Sequence, residues 1–306
     1  MLEMNFSLET ELAGLKMDNP LMLASGILGL CPSLLKRVAS AGAGAVVTKS
    51  VGLREREGFP NPTVHVIDSY GLLNAMGLPN PGVEEFLKEF EGEKFQIPIV
   101  YSVYGSSPEE YSQVAKKLLS LNPSAFELNL SCPHVREVGS LIGQDPRMVY
   151  NVVNSVKSSV NVPVFAKLSP NVTDVLEVAE AAVKAGADAI VAINTVKAMA
   201  IDVDIMKPVL GNVYGGLSGP AIKPIAIKIV YDLFENISVP IIGVGGICCW
   251  RDAVEFFLAG ASAVQIGSGI LWRGLNIFGE VLEGLRKYMI EHKFKNVKEI
   301  VGAAHK

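Results

Sequence analysis

The chain has 306 residues and a formal charge of −4, from 27 basic and 31 acidic side chains. With 49% hydrophobic and 19% charged residues it can bury a large core, which excludes a disordered chain. The slight acidity leaves no basic footprint for nucleic acid.

Residues 21–24 open a series of apolar, strand-like runs that returns at 45–48, 97–103, 125–130, 164–168, 189–193, 240–244 and 263–266. Amphipathic helical patterns fill the intervals: 33–39 follows the first run, then 83–90, 109–119, 147–158, 175–185, 223–234, 251–258 and finally 277–292. Ala-Gly-Ala recurs before strands at 41–43, 185–187 and 259–261, where glycine supplies a left-handed helix end and small neighbours let the chain turn back. Near-continuous apolar strands alternating with helices signal a parallel sheet covered on both faces. Eight of them predict a closed (β/α)8 barrel, one domain over 1–306, rather than an open doubly wound sheet. Two connections, 50–96 and 195–221, exceed what a barrel needs. Both leave the C-terminal end of a strand, the second and the sixth, where barrel enzymes place their sites.

The strand ends carry polar residues and glycines: Ser25-Gly26, Lys49-Ser50, Ser102, Asn129 with Cys132, Lys167 with Ser169, Asn194-Thr195, Gly245-Gly246 and Gly267-Ser268. Together they predict a lined pocket. Glycine pairs after the seventh and eighth strands are a phosphate signal, because glycine lets backbone N–H groups approach an anion. Lys49 and Lys167 would be costly to desolvate without a partner. Either they form salt bridges that close the barrel end, or each meets an anion in the pocket. The second reading is preferred, since two lysines facing one cavity would otherwise repel.

Residues 126–134, Phe-Glu-Leu-Asn-Leu-Ser-Cys-Pro-His, run from a buried strand into an amide, a hydroxyl and a thiol. Free cysteine is most often inert core filler; the polar neighbours of Cys132 point to a nucleophile or a base. The four cysteines, Cys31, Cys132, Cys248 and Cys249, include no CxxC pair. That argues against a structural zinc or an iron–sulfur cluster in this chain and fits a reducing cytosol. The histidines, His65, His134, His292 and His305, form no metal-ligand pair. No apolar run reaches membrane-spanning length. The first 17 residues lack the basic-then-apolar order of a signal peptide. A cytoplasmic protein, bound to neither membrane nor nucleic acid, is expected.

Several segments in register resemble the dihydroorotate dehydrogenase family of flavin barrels. They are Ala24-Ser25-Gly26, Thr48-Lys49-Ser50, the run 73–82 (Leu-Asn-Ala-Met-Gly-Leu-Pro-Asn-Pro-Gly), Asn129-Leu130-Ser131-Cys132-Pro133 and Ala166-Lys167-Leu168-Ser169-Pro170. Ile193-Asn194-Thr195, the run 215–224 (Gly-Gly-Leu-Ser-Gly-Pro-Ala-Ile-Lys-Pro) and Gly243-Val244-Gly245-Gly246-Ile247 continue the match nearly end to end. Cysteine at the base position is similar to the soluble class 1 enzymes, and the 215–224 run to the subgroup that reaches NAD through a partner. The resemblance implies FMN in this chain. It also implies a second protein carrying FAD and a [2Fe–2S] cluster, in a heterotetramer of two catalytic and two electron-transfer chains. His134, Ser102 and Ala198 depart from the family pattern, which has asparagine, asparagine and glycine there.

Residue by residue, the resemblance implies that Cys132 is the base and that Lys49 bridges flavin and substrate. Asn74, Asn129, Asn194 and Thr195 would hydrogen-bond the substrate, with Ala75, Met76, Gly77 and Leu78 contacting it from the long loop. Ser25, Ser50, Ser102, Asn129, Lys167 and Ile193 would hold the flavin, Lys167 at its N1–C2 side. Ser218-Gly219, Gly245-Gly246 and Gly267-Ser268 would hold the ribityl phosphate. The segment 133–143 reads as a lid over the base or as an ordinary loop. Competing readings are a related flavin enzyme acting on uracil or thymine, dihydroorotate oxidation with fumarate or another acceptor and no partner, and a flavin-binding scaffold without turnover.

Overall fold

A computed structural model describes residues 6–130 and 142–306. Cys132, His134 and most of the 133–143 segment therefore lie outside the described residues.

Eight strands close a barrel: β1 (Leu21–Leu23), β2 (Ala45–Val47), β3 (Ile99–Val103), β4 (Ala125–Asn129), β5 (Val164–Leu168), β6 (Ala189–Ala192), β7 (Ile241–Val244) and β8 (Ala261–Ile266). Each pairs in parallel with the next, and β8 pairs with β1. Their residues are almost all buried because helices cover the outside and side chains fill the inside. Alternation along each strand sorts the two faces. Met22, Ala45, Val47, Val100, Ala125, Phe165, Ala189, Val191, Ile242 and Ala263 pack inward as one cluster. Two residues further along β4, β5 and β8, the same face carries Glu127, Lys167 and Gln265. The barrel interior is therefore apolar at its base and polar near its C-terminal mouth.

Outside lie α1 (Pro32–Ser40), α2 (Val83–Phe90), α3 (Pro108–Leu118), α4 (Pro146–Lys157), α5 (Val175–Lys184), α6 (Lys223–Asn236), α7 (Trp250–Ala259) and α8 (Asn276–His292). Side chains of Ser107, Asp145 and Asp174 accept first-turn backbone N–H groups and start α3, α4 and α5. Gly42, Gly186 and Gly260, the centres of the Ala-Gly-Ala repeats, all take positive φ where helix turns to strand.

Two additions complete the barrel. An N-terminal hairpin pairs Thr10–Leu12 with Leu15–Met17 through a two-residue turn with positive φ at Ala13 and Gly14. Leu12, Leu15 and Met17 join the inner apolar cluster and plug the base of the barrel. At the opposite end, both long connections contribute to one antiparallel sheet, ordered Val196–Ala198, Gly215–Ser218, Gly71–Asn74, Val64–Ile67. Neither connection is an open loop: each is local structure laid over the mouth. Among the described residues, no helix is long and apolar enough to cross a membrane.

Candidate active site

The barrel mouth and the overlying sheet enclose a cavity of 390 Å³, within the usual range for a small-molecule or cofactor site. Its floor is made by the strand ends and its roof by Val64, Leu72, Asn74 and Ser218 of the sheet. The strip Met76-Gly77-Leu78 forms one wall. It is pinned from behind: Arg56 Nε donates to the Gly77 carbonyl (2.7 Å), Asn80 Nδ2 to the Leu78 carbonyl (2.9 Å) and the Phe59 amide to the Met76 carbonyl (3.0 Å).

A chain of short polar side chains crosses the floor. Ser50 Oγ lies 2.9 Å from Ser102 Oγ and 3.4 Å from Ser25 Oγ, and it accepts Asn129 Nδ2 at 3.0 Å. Asn194 Nδ2 donates to Asn129 Oδ1 (3.4 Å), and Asn194 Oδ1 accepts the Thr195 amide (2.8 Å). Tyr111 donates its hydroxyl to the Asn129 carbonyl at 2.8 Å. Five barrel strands thus orient the two asparagine amides relative to each other. The Ala192–Ile193 peptide beside them is cis.

Lys49 and Lys167 are both buried, and both line the cavity. Lys167 Nζ donates to Glu127 Oε1 (3.2 Å) and Gln265 Oε1 (3.0 Å). Of the two alternatives for this lysine the internal salt bridge is present, and Lys167 also lines the cavity. Glu127 removes the repulsion that the sequence reading set between two lysines.

On the far side, Gly245, Gly246, Gly267 and Ser268 end β7 and β8. Gly246 has φ +74°, and a Cβ built there would stand 2.6 Å from the Gly219 carbonyl oxygen, so only glycine fits. The short helix Gly269–Arg273 follows directly.

The structure brings together at the cavity Ser25, Lys49, Ser50, Asn74, Met76, Gly77, Leu78, Asn129, Lys167, Ile193, Asn194, Thr195, Gly245, Gly246, Gly267 and Ser268. Among the described residues, three that were expected at the cavity do not line it. Ala75 packs with Leu73 and Leu210 behind the roof sheet, Ser102 lies beneath Ser50, and Gly219 backs Gly246. Sequence reasoning missed Gln265, and it gave Glu127 no partner. The available signal was a polar residue amid the apolar body of each of two strands, together with a buried lysine that needed a counterion. It also missed the apolar lining from Ile27, Ile222, Val244 and Ile247.

A closed parallel barrel with a cavity of small-molecule size at its C-terminal mouth, lined by two buried lysines and a glycine cradle, defines the class: a (β/α)8 barrel with a pocket where such barrels place their active sites. A family profile described as Dihydroorotate dehydrogenase matches residues 7–289, and the chain belongs to that family. It is 53% identical over 299 residues to a protein of Pyrococcus abyssi, covering 98% of this chain and 99% of that one. A protein of Methanocaldococcus jannaschii is 52% identical over 304 residues, with 97% and 98% covered. One from Thermoplasma volcanium is 50% identical over 302 residues, with 98% and 99% covered. All three are named "Dihydroorotate dehydrogenase B (NAD(+)), catalytic subunit".

Proposed function

We propose that the chain, a single barrel domain, is the catalytic subunit that oxidises dihydroorotate to orotate in pyrimidine biosynthesis, with electrons leaving for NAD through a partner. The observation that carries this reading is the cavity itself, where the family's motif residues converge from seven strand ends and the roof sheet. The cofactor is FMN. The residues present fit it: Ile193, Ile222, Val244 and Ile247 offer apolar walls for a flat ring system. Two ammonium groups suit a ring that becomes anionic on reduction, and the glycine cradle with the short helix after β8 suits a phosphate. Ser25, Ser50, Asn129, Lys167 and Ile193 would hold the ring, and Ser218, Gly245, Gly246, Gly267 and Ser268 the phosphate.

The chemistry supplied by a bound FMN is acceptance of the hydride from C6 of dihydroorotate. Cys132, three residues beyond Asn129 in sequence, takes the proton from C5. A thiol titrates near about 8.5 in water, so modest tuning makes it a base at neutral pH. Asn74, Asn129, Asn194 and Thr195 bind the substrate's carboxylate and ring amides, and the side-chain chain across the floor holds two of these amides in register before the ligand arrives. Lys49, which lines the cavity, would serve substrate and cofactor together. A ligand lacking the carboxylate leaves buried polar groups unpaired and is rejected.

The partner would carry FAD and a [2Fe–2S] cluster in a heterotetramer of two chains of each kind, and the complex would be cytoplasmic. Cys132→Ala tests the assignment of the base. The variant should retain flavin and lose at least about 10²-fold in the rate at which anaerobic dihydroorotate reduces it. Near-normal reduction would place the base elsewhere.

A further inference from the structure

Glu127 is the most deeply buried charge in the barrel, with no exposed surface, and it does not line the cavity. Its two oxygens are divided between two residues that do. Oε1 accepts Lys167 Nζ at 3.2 Å and Oε2 accepts Gln265 Nε2 at 2.5 Å, while Gln265 Oε1 accepts Lys167 Nζ at 3.0 Å. Three side chains from β4, β5 and β8 close a triangle across the barrel interior.

The triangle fixes both neighbours. With its amide donating to Glu127, Gln265 must turn its oxygen toward Lys167; the flipped amide would set an NH2 against an ammonium and leave the carboxylate short of a donor. Lys167 has three N–H donors. Two are spent on the triangle, and the third remains for the cavity. The carboxylate also cancels the charge of the ammonium, so the group facing the cavity is a directed donor within a neutral unit rather than a free cation.

We propose that Glu127 is a positioning residue that, through Lys167 and Gln265, sets how strongly the site favours the reduced, anionic flavin. This rests on the flavin reading above. Replacing Glu127 by glutamine keeps the side-chain length, turns one of its two acceptor contacts into a donor facing a donor, and leaves the charge of Lys167 uncompensated beside the flavin. Adding two electrons and one proton to the flavin, which leaves it anionic, then becomes easier.

The test equilibrates the FMN-loaded protein with a two-electron dye of known potential under reducing conditions. In Glu127→Gln the equilibrium constant for flavin reduction should rise about tenfold or more, which is about 30 mV for a two-electron couple. Glu127→Asp restores the charge and should stay within about threefold of wild type. In a Lys167→Met background the same Glu127→Gln change should move the constant less than about threefold, because an unpaired buried carboxylate neutralises itself by taking a proton. A constant that is unchanged or lowered in flavin-loaded Glu127→Gln overturns the proposal, as does an equal shift in both backgrounds. If Glu127→Gln does not retain flavin, thermal melting decides. The double variant with Lys167→Met should melt above Glu127→Gln alone, since removing both members of a buried pair costs less than orphaning one. A double variant no more stable than that single one overturns the pairing. Wild-type protein that takes up no FMN would overturn the flavin reading and leave the melting comparison standing.

Discussion

At the scale of single residues, the cavity depends on atoms that leave no room for alternatives. Gly246 is the sharpest case. Its positive φ disfavours any L side chain, and the Gly219 carbonyl occupies the space a methyl group would need. Gly246→Ala should therefore cost about 1–3 kcal/mol in folding stability. By shifting the cradle, it should also loosen FMN retention. Thermal melting with parallel measurement of flavin content after gel filtration checks both; a variant that melts normally with full flavin would show that the cradle tolerates a side chain. Lys167 illustrates a second kind of dependence. A buried ammonium is tolerable because Glu127 and Gln265 meet it, so the residue that lines the cavity cannot be read apart from the two that anchor it.

At the scale of elements, α7 shows how the sequence after β7 is tied down. Asp252 accepts the backbone N–H groups of Cys248 and Cys249 (both 2.9 Å) and the Lys223 ammonium (2.8 Å). Burial pushes its pKa up, but Lys223 and the Cys248 N–H outweigh that, and the carboxyl titrates below its ordinary value of 3.8. Burial, with Asp252 beside it, pushes the Cys248 thiol up to about 11, so it sits there protonated. Because the folded-state pKa of Asp252 is depressed, its contribution is complete above the unfolded-state value and is lost as pH falls through the folded one. Asp252→Asn should cost about 1–2 kcal/mol near pH 7, with the gap to wild type narrower at pH 3, below the ordinary carboxyl value of 3.8. Urea melts at the two pH values test this. A gap independent of pH would mean that the charge does no stabilising work.

What the sequence could reveal follows the same physics. Barrel strands buried on both faces read as apolar runs, and helices with one buried face read as periodic patterns; all eight of each lie within a few residues of where periodicity puts them. The plugging hairpin at 10–17 was not legible. Its strands are three residues long, and its Ala13-Gly14 turn lacks the Asn-Gly or Asp-Gly signal of a tight hairpin. The roof sheet was equally hidden, because its strands come from connections 142 residues apart at the Asn74 to Gly216 contact and pair only after the barrel closes. Most of the candidate site was legible because it sits at strand ends, where polar residues interrupt apolar ones. Glu127 and Gln265 were harder to place, since alternation gives the face of a residue but not its partner on another strand, adjacent for Glu127 and Lys167 and across the barrel for Gln265.

At the scale of the whole molecule, the barrel divides its work between its ends. The N-terminal hairpin and the apolar inner layer seal one end, and the polar layer and roof sheet build a cavity at the other. Membership of the dihydroorotate dehydrogenase family then gives that cavity its chemistry. Under the proposed function electron transfer to NAD would belong to the complex, so the isolated FMN-loaded chain should be reducible by substrate without forming NADH. The most direct measurement is an anaerobic titration of that chain with dihydroorotate, followed by its flavin absorbance, with dihydrouracil as the control that lacks the carboxylate. Dihydroorotate should bleach the flavin and dihydrouracil should not. A flavin left oxidised by dihydroorotate, or bleached equally by both compounds, would contradict the proposed function.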